Sequence, residues 1–107
     1  MVPEIFDRSR RLELSLPIEV AGEDASGAPL RESCVTVNIA SGGVCFESSL
    51  RLGIGMPVNL EISLPEKLRR HFGGEAIYRT RAVVYRTEPG PGGRTRIVAR
   101  FVGAATP

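Results

Sequence analysis

The stretch Thr36–Phe46, TVNIASGGVCF, places two adjacent glycines between two apolar runs. Each run is typical of a short β-strand, and Gly42 and Gly43 between them permit a tight chain reversal. Because glycine has no side chain, the same turn also permits a ligand to approach the backbone closely. The stretch therefore predicts a β-hairpin and leaves open whether its turn binds anything.

Apolar and polar residues alternate on both sides of this hairpin. Leu12–Val20 alternates with period two, which indicates a half-buried strand, and Pro17 on its outer face suggests an edge or a bulge. Residues 21–31 are rich in Gly, Asp, Ser and Pro and indicate a loop. The last two apolar runs flank the loop 89–93 and predict a long hairpin. The predicted strands occupy about 12–20, 33–39, 44–48, 58–64, 75–88 and 94–103.

One short segment departs from the strand pattern. Pro65 and Glu66 suit the first turn of a helix, which Gly73 and Gly74 can end after one or two turns. Six short strands with turn signals at each junction are typical of an antiparallel barrel or sandwich. A chain of 107 residues is one domain in length. We assign residues 12–103 to this β domain and residues 1–11 to an N-terminal arginine-rich segment.

The composition excludes several classes of protein. Apolar residues make up 42% of the chain and charged residues 24%, as in ordinary globular proteins. No segment approaches the roughly 20 apolar residues of a membrane helix, and the first residues do not read as an export signal. We therefore expect no membrane span and a cytoplasmic location. A single histidine, His71, lies in a polar segment where we expect it to be solvated, so neither a metal site, a bound cofactor nor an enzyme is indicated.

Two cysteines, Cys34 and Cys45, lie on either side of the glycine turn. Thiols in a chain without an export signal are expected to be reduced residues of the core or of a sheet face. If the hairpin pairs symmetrically, however, the two face each other, and a redox-sensitive bridge remains an alternative.

Arginine is unevenly distributed along the chain. The net charge is only +2, but Asp7–Arg11 carries three arginines and Arg79–Arg100 carries six against one glutamate. Thirteen arginines against one lysine suit planar recognition of phosphate and guanine, although a GC-rich genome produces the same bias. A nucleic-acid-binding barrel would need stacked aromatics, and Tyr78 and Tyr85 face opposite sides of a regular strand because their spacing is odd. Nucleic acid is therefore not an expected partner.

The arginine-rich segment and the turn NIASGG together resemble the PilZ family. The resemblance extends from about Phe6 to Val102 and includes RLELSLPIEV, the hairpin TVNIASGGVCF, GMPVNLEISLP and RAVVYRTEPGPGGRTRIVARF. Members of this family are six-stranded barrels that act as bacterial receptors for cyclic di-GMP. The resemblance implies an all-β fold, a six-stranded antiparallel PilZ-like β-barrel with one short helical turn.

The ligand site of this family combines an R-x-x-x-R pair before the first strand with a [D/N]-x-S-x-x-G turn. On this sequence Arg11 matches the second arginine, Asn38 the first turn residue and Gly43 the last glycine. Arginine gives charge-assisted contacts to phosphate and guanine, and the turn amide reads the guanine edge. The implied ligand-binding residues are Arg8, Arg10, Arg11, Asn38, Ser41, Gly42 and Gly43.

Two positions differ from the family's pattern. Asp7 takes the place of the first arginine, and Ala40 takes that of the serine. Losing a serine hydroxyl costs about 1 kcal/mol, and losing a charge-assisted arginine contact costs roughly 1.5–3 kcal/mol. Arg8 or Arg10 can fill the vacant arginine place if the segment before Leu12 is irregular, because only a strand fixes which side each residue faces. The neighbouring Ser41 can partly replace the missing hydroxyl.

The resemblance leaves two functions open. The first is a signalling receptor that binds cyclic di-GMP, weakly or in altered form, and acts through a protein partner. The second is an interaction adaptor on the same fold that does not bind cyclic di-GMP, which the changes at Asp7 and Ala40 favour.

Overall fold

Six antiparallel strands form a closed barrel in the computed structural model, which describes residues 12–104 of the chain. The strands are β1 (Pro17–Glu23), β2 (Pro29–Ala40), β3 (Gly43–Ser48), β4 (Pro57–Ser63), β5 (Ile77–Pro89) and β6 (Thr95–Ala104). Their order around the barrel is β1-β2-β3-β6-β5-β4, and β4 pairs with β1 to close it. The all-β, six-stranded antiparallel barrel predicted from the sequence is confirmed.

The core fills the inside of the barrel. Side chains alternate between the two faces of each strand, so every second residue of a strand points into the barrel. All six strands contribute residues with almost no exposed surface, and those of β5 are Thr80, Ala82 and Val84. The largest fully buried apolar side chains are Phe46, Ile18, Ile39, Leu60, Ile62, Ile97, Val20, Val58 and Val84. Burying each such side chain contributes about 1.5–3 kcal/mol to folding.

A short helix covers one end of the barrel between β4 and β5. Helix α1 (Glu66–Arg69) continues into a 3₁₀ turn at Arg70–Phe72, and both buried residues of the pair, Leu68 and Phe72, face the core. Gly73 then ends the turn with a φ of 90°, a conformation that suits glycine. The predicted single helical segment is confirmed.

The first strand begins later than predicted. β1 begins at Pro17, whereas Leu12 makes an isolated antiparallel bridge to Ile39. The reason is the buried Thr36, whose hydroxyl accepts a hydrogen bond from the Leu16 N–H at 2.8 Å and donates one to the Leu14 carbonyl. A side chain therefore takes the place of regular backbone pairing there. We call residues 12–16 the lead-in segment.

Two further expectations are wrong in detail. Pro17 marks neither a sheet edge nor a bulge, because the barrel is closed and this proline is the first residue of its strand. The loop expected over 21–31 is also shorter, since β1 continues to Glu23 and β2 already begins at Pro29.

The two cysteines do not face each other. Within residues 12–104 the register pairs Cys34 with Ile18 of β1 and Cys45 with Asn38, because the hairpin turn lies at Ser41 and Gly42, between the paired Ala40 and Gly43. Both cysteines are buried and no disulfide joins them. Burial and the adjacent Glu32 carboxylate raise the pKa of Cys34 to about 12, which keeps it a protonated thiol. A redox-sensitive bridge between the two cysteines is therefore not supported.

Among the described residues, no helix has both the length and the apolar character needed to cross a membrane.

Candidate ligand-binding site

A depression of about 370 Å³ opens on the outer face of the barrel beside the β2–β3 hairpin. Its lining comes from the hairpin on one side and from β5 and β6 on the other. The hairpin residues predicted from the sequence all line it: Asn38, Ser41, Gly42 and Gly43. The structure thus brings the hairpin half of the predicted site together in one place.

The bulge in β2 determines where Asn38 points. Thr36 and Ile39 are both buried in the barrel although an odd number of positions separates them, because the bulge inserts an extra residue between them. Without that insertion, regular alternation from Thr36 would turn Asn38 toward the core. Asn38 instead lines the depression, and its amide makes no hydrogen bond with any residue of the described chain. The amide is therefore available to a ligand.

Gly43 has a structural role that the sequence did not reveal. A Cβ atom at this position would overlap the carbonyl oxygen of Ala99 in β6. The neighbouring Gly42 carbonyl accepts a hydrogen bond from the Phe101 N–H at 3.0 Å, which holds the turn against the same strand. The close approach at Gly43 is thus made by the barrel's own backbone.

The lead-in segment joins the barrel directly beside this hairpin. The Leu12 N–H donates to the Ile39 carbonyl at 2.8 Å, and the Ile39 N–H donates to the Leu12 carbonyl at 2.9 Å. Arg8, Arg10 and Arg11, the predicted arginines, lie outside the described residues, as does Asp7. Arg11 immediately precedes Leu12 in the sequence, so this bridge fixes the chain one residue after the nearest of these arginines.

Tyr85 and Arg100 are among the lining residues that were not predicted from the sequence. The Cζ atom of Arg100 in β6 lies 4.3 Å from the ring centroid of Tyr85 in β5, a cation–π stack at the edge of the depression. Tyr85 is 55% exposed, whereas Tyr78 packs against Phe72 with their ring centroids 5.1 Å apart. The expectation that the two tyrosines face opposite sides is confirmed. The exposed aromatic residue in an arginine-rich strand was the only sequence signal for this pair.

The charges around the depression suit an anion. Among the described residues, its lining contains one arginine, Arg100, and no acidic residue. Within residues 12–104, Arg100 has no carboxylate within ion-pair distance, whereas Arg96 lies 2.9 Å from Glu47 and Arg94 lies 3.5 Å from Glu32. Among the described residues, Arg100 beside the hairpin thus lacks the carboxylate partner that Arg96 of β6 and Arg94 just before it have.

Metal chemistry finds no support in the described part of the chain. No group of three potential ligands among histidine, cysteine, aspartate and glutamate occurs there. His71 is half-buried beside the buried Phe72, so it is less solvated than expected from the sequence.

Comparison with solved structures identifies the fold. The Bacillus subtilis inhibitor of motility, MotI/DgrA, matches with a TM-score of 0.65 and 20% identity over 89% of this chain. YcgR from Escherichia coli, solved in complex with c-di-GMP, matches with a TM-score of 0.58 and 17% identity over 86% of this chain. The PilZ domain of CeSA from a cellulose-synthesizing bacterium matches with a TM-score of 0.52 and 22% identity over 84%. The chain therefore has the PilZ-domain fold, as predicted.

The matched proteins differ in length. The chain spans 41% of MotI/DgrA and 36% of YcgR, but 79% of the CeSA PilZ domain. No family model matches the sequence, and no curated protein matches it either.

Proposed function

We propose that this PilZ-fold barrel is a receptor for cyclic di-GMP that signals to a protein partner in the bacterial cytoplasm without catalysing a reaction. The observation that supports it best is the bridge between Leu12 and Ile39. It holds Leu12, the residue that follows Arg11 in the sequence, against the hairpin whose turn lines the depression. Among the described residues, the Asn38 amide there makes no hydrogen bond and Arg100 has no carboxylate within ion-pair distance.

The residue types fit the chemistry of a cyclic dinucleotide, which carries two phosphates and two guanine bases. Arg11, with Arg8 or Arg10, supplies bidentate contacts to phosphate and guanine. Asn38 and Ser41 donate to and accept from a base edge. The backbone of Gly42 and Gly43 forms the floor on which the ligand rests, since no side chain covers it.

Two matched structures that contain c-di-GMP add support to the proposal. YcgR from Escherichia coli was solved with c-di-GMP both as a longer chain and as its PilZ domain, and the latter matches this chain with a TM-score of 0.52. That binding belongs to YcgR. It shows that a barrel of this fold accommodates the ligand.

Calorimetric titration with cyclic di-GMP tests the proposal. We expect saturable heat for the wild type and its loss in the double variant Arg11→Ala, Asn38→Ala. Removing one charge-assisted and one neutral contact costs about 2–4 kcal/mol, which weakens binding by about thirtyfold to a thousandfold. Arg79→Ala serves as the control, because Arg79 pairs with Glu61 outside the depression. A flat titration of the wild type at high concentration would rule the receptor function out.

A second set of variants identifies the arginine that compensates for Asp7. Arg8→Ala and Arg10→Ala are titrated separately, and we expect one of them to weaken binding as strongly as Arg11→Ala does. Asp7→Arg restores the spacing of the family's arginine pair, and we expect it to tighten binding about tenfold or more because it also removes a negative charge. Wild-type affinity in these three variants and in Arg11→Ala would show that the N-terminal segment does not contact the ligand.

The second candidate is a ligand-independent adaptor on the same fold. Ala40 favours it, because its methyl group lines the depression where the family's turn carries a hydroxyl. This function is supported if the titration is flat and a stable protein partner is recovered from nucleotide-free lysate. It also requires that the Arg11→Ala, Asn38→Ala variant retain that partner.

A further inference from the structure

Arg100 and Tyr85 form the wall of the depression that faces the hairpin. Tyr85 lies on the outer face of β5, within the irregularity between Val84 and Arg86, and the Arg100 guanidinium stacks on its ring with 4.3 Å between Cζ and the centroid. Neither residue belongs to the arginine pair or to the hairpin turn on which the proposed function rests. Both residues line the same depression, so a ligand bound there would lie next to them.

The strand register places Arg100 in one row with the hairpin. Ala40 pairs with Gly43, Gly43 pairs with Arg100, and these residues form one row across β2, β3 and β6. All three line the depression. Adjacent strands lie about 4.8 Å apart, so two strand spacings separate the Ala40 and Arg100 backbones. The Ala99 carbonyl oxygen lies against the side-chain position of Gly43, so the middle of the row presents backbone and no side chain.

We propose that Arg100, supported from below by Tyr85, is a stacking platform for one guanine base of the ligand. This inference rests on the proposed cyclic dinucleotide function and names a third contact within that site. A guanidinium plane stacks well on a nucleobase. The Arg100 Cζ atom lies over the Tyr85 ring, and both residues line the depression, to which the described residues contribute no carboxylate.

Tyr85 holds the platform in place by stacking, because an exposed arginine side chain otherwise samples many rotamers. The ring restricts the guanidinium before the ligand arrives, which lowers the ordering cost of binding. Loss of the ring should therefore weaken binding even though the charge of Arg100 remains. The Tyr85 hydroxyl has no part in this role.

Titration of four variants with cyclic di-GMP tests the stacking. We expect Arg100→Ala and Tyr85→Ala each to weaken binding on the order of tenfold, within the range measured for base stacking. Arg100→Lys keeps the charge without the plane, so we expect it to bind nearly as weakly as Arg100→Ala. Tyr85→Phe keeps the ring and should bind like the wild type. Arg81→Ala, which removes an arginine from the same face of β5 outside this depression, is the matched control.

Fluorescence gives a second, independent readout. The chain has no tryptophan and two tyrosines, so Tyr78→Phe leaves Tyr85 as the sole tyrosine fluorophore. We expect cyclic di-GMP to change its emission saturably as the base stacks over Arg100 and Tyr85. In Tyr85→Phe the emission comes from Tyr78, and only absorption by the ligand should change it. This second variant corrects the first for that absorption.

The outcomes separate this inference from the proposed function. If the wild type gives no heat with cyclic di-GMP, both are overturned. If the wild type binds and Arg11→Ala weakens binding while Arg100→Ala does not, only the platform is overturned. If Arg100→Lys restores wild-type affinity, Arg100 acts as a charge on phosphate and the stacking is wrong.

Discussion

The two ends of strand β3 use polar residues in opposite ways. At the Ser48 end, Glu32 accepts hydrogen bonds from the Ser48 hydroxyl at 2.6 Å and from the Ser49 N–H at 3.1 Å, and its carboxylate lies 3.5 Å from the Arg94 guanidinium. At the Gly43 end, within the described part of the chain, the side chains of Asn38 and Ser41 make no hydrogen bonds.

The two ends of β3 also differ in the charged groups that they carry. Burial alone raises the pKa of Glu32, but hydrogen bonds from Ser48, Ser49 and Cys34 outweigh it and lower the pKa to about 2. The Ser48 end therefore keeps a carboxylate at neutral pH that pairs with Arg94. In the described part of the chain, no acidic residue lines the depression at the Gly43 end, and Arg100 there stacks only on Tyr85.

This difference indicates which end of the barrel is the better candidate for a ligand site. Both ends belong to the same strands and rest on the same core, so packing does not distinguish them. Polar groups that satisfy one another stabilise a fold, whereas polar groups left without partners at a concave surface are available to a ligand. At the Gly43 end, the side chains of Asn38 and Ser41 have no partners among the described residues and are therefore available to a ligand.

The largest effect is expected from Gly43→Ala. The new methyl group would meet the Ala99 carbonyl of β6, and because that neighbour is backbone it cannot move aside as a side chain would. We expect a loss of about 1–3 kcal/mol or more in the free energy of unfolding, measured by urea denaturation. Gly53→Ala is the control, since nothing lies within 4 Å of its added Cβ. Equal stability of the two variants would show that the close contact with β6 does not fix the Gly43 end of the hairpin.

The second effect concerns the lead-in segment that reaches the Gly43 end. Thr36→Val keeps the shape of the buried side chain but removes the acceptor of the Leu16 N–H and the donor to the Leu14 carbonyl. Leaving buried polar groups unpaired costs about 1–3 kcal/mol, and we expect a value in the lower half of that range because the segment can relax. Hydrogen exchange at Leu16 should accelerate more than exchange at Ser49. Unchanged exchange at Leu16 would show that Thr36 does not hold the segment.

The smallest effect is expected at the Ser48 end, from Glu32→Gln. Glutamine keeps an oxygen acceptor but loses the charge, so we expect a loss of about 1 kcal/mol at neutral pH. The folded-state pKa lies below the ordinary value of 4.5, so the wild-type carboxylate contributes stability above about pH 4.5 and loses it as the pH falls toward about 2.

The pH dependence of stability therefore tests whether the charge of Glu32 stabilises the Ser48 end. The urea midpoints of the wild type and of Glu32→Gln should differ at neutral pH and converge between about pH 5 and pH 2. The variant should leave cyclic di-GMP binding unchanged, because Glu32 does not line the depression. A difference in midpoint that persists at low pH would show that the carboxylate contributes through its shape and not through its charge.

The sequence alone determined the local elements. Period-two alternation, the glycine-proline loop at 89–93 and the short helix before Gly73 each follow from the conformational preferences of neighbouring residues. For this reason the six strands, their antiparallel arrangement and the hairpin over Thr36–Phe46 were all predicted, although the turn lies at Ser41 and Gly42 and Gly43 already belongs to β3. The resemblance of the turn and the arginine-rich segment to the PilZ family then supplied the barrel and the hairpin half of the candidate site.

Only the tertiary structure decided which side chains meet around that site. The bulge that turns Asn38 outward, the Ala99 carbonyl that requires glycine at position 43, and the stacking of Arg100 on Tyr85 all arise from pairing between strands distant in the sequence. Alternation within one strand carries no information about its partner's register, and one inserted residue reverses the face of every residue after it. Closing the barrel fixes those registers, and with them the depression beside the hairpin.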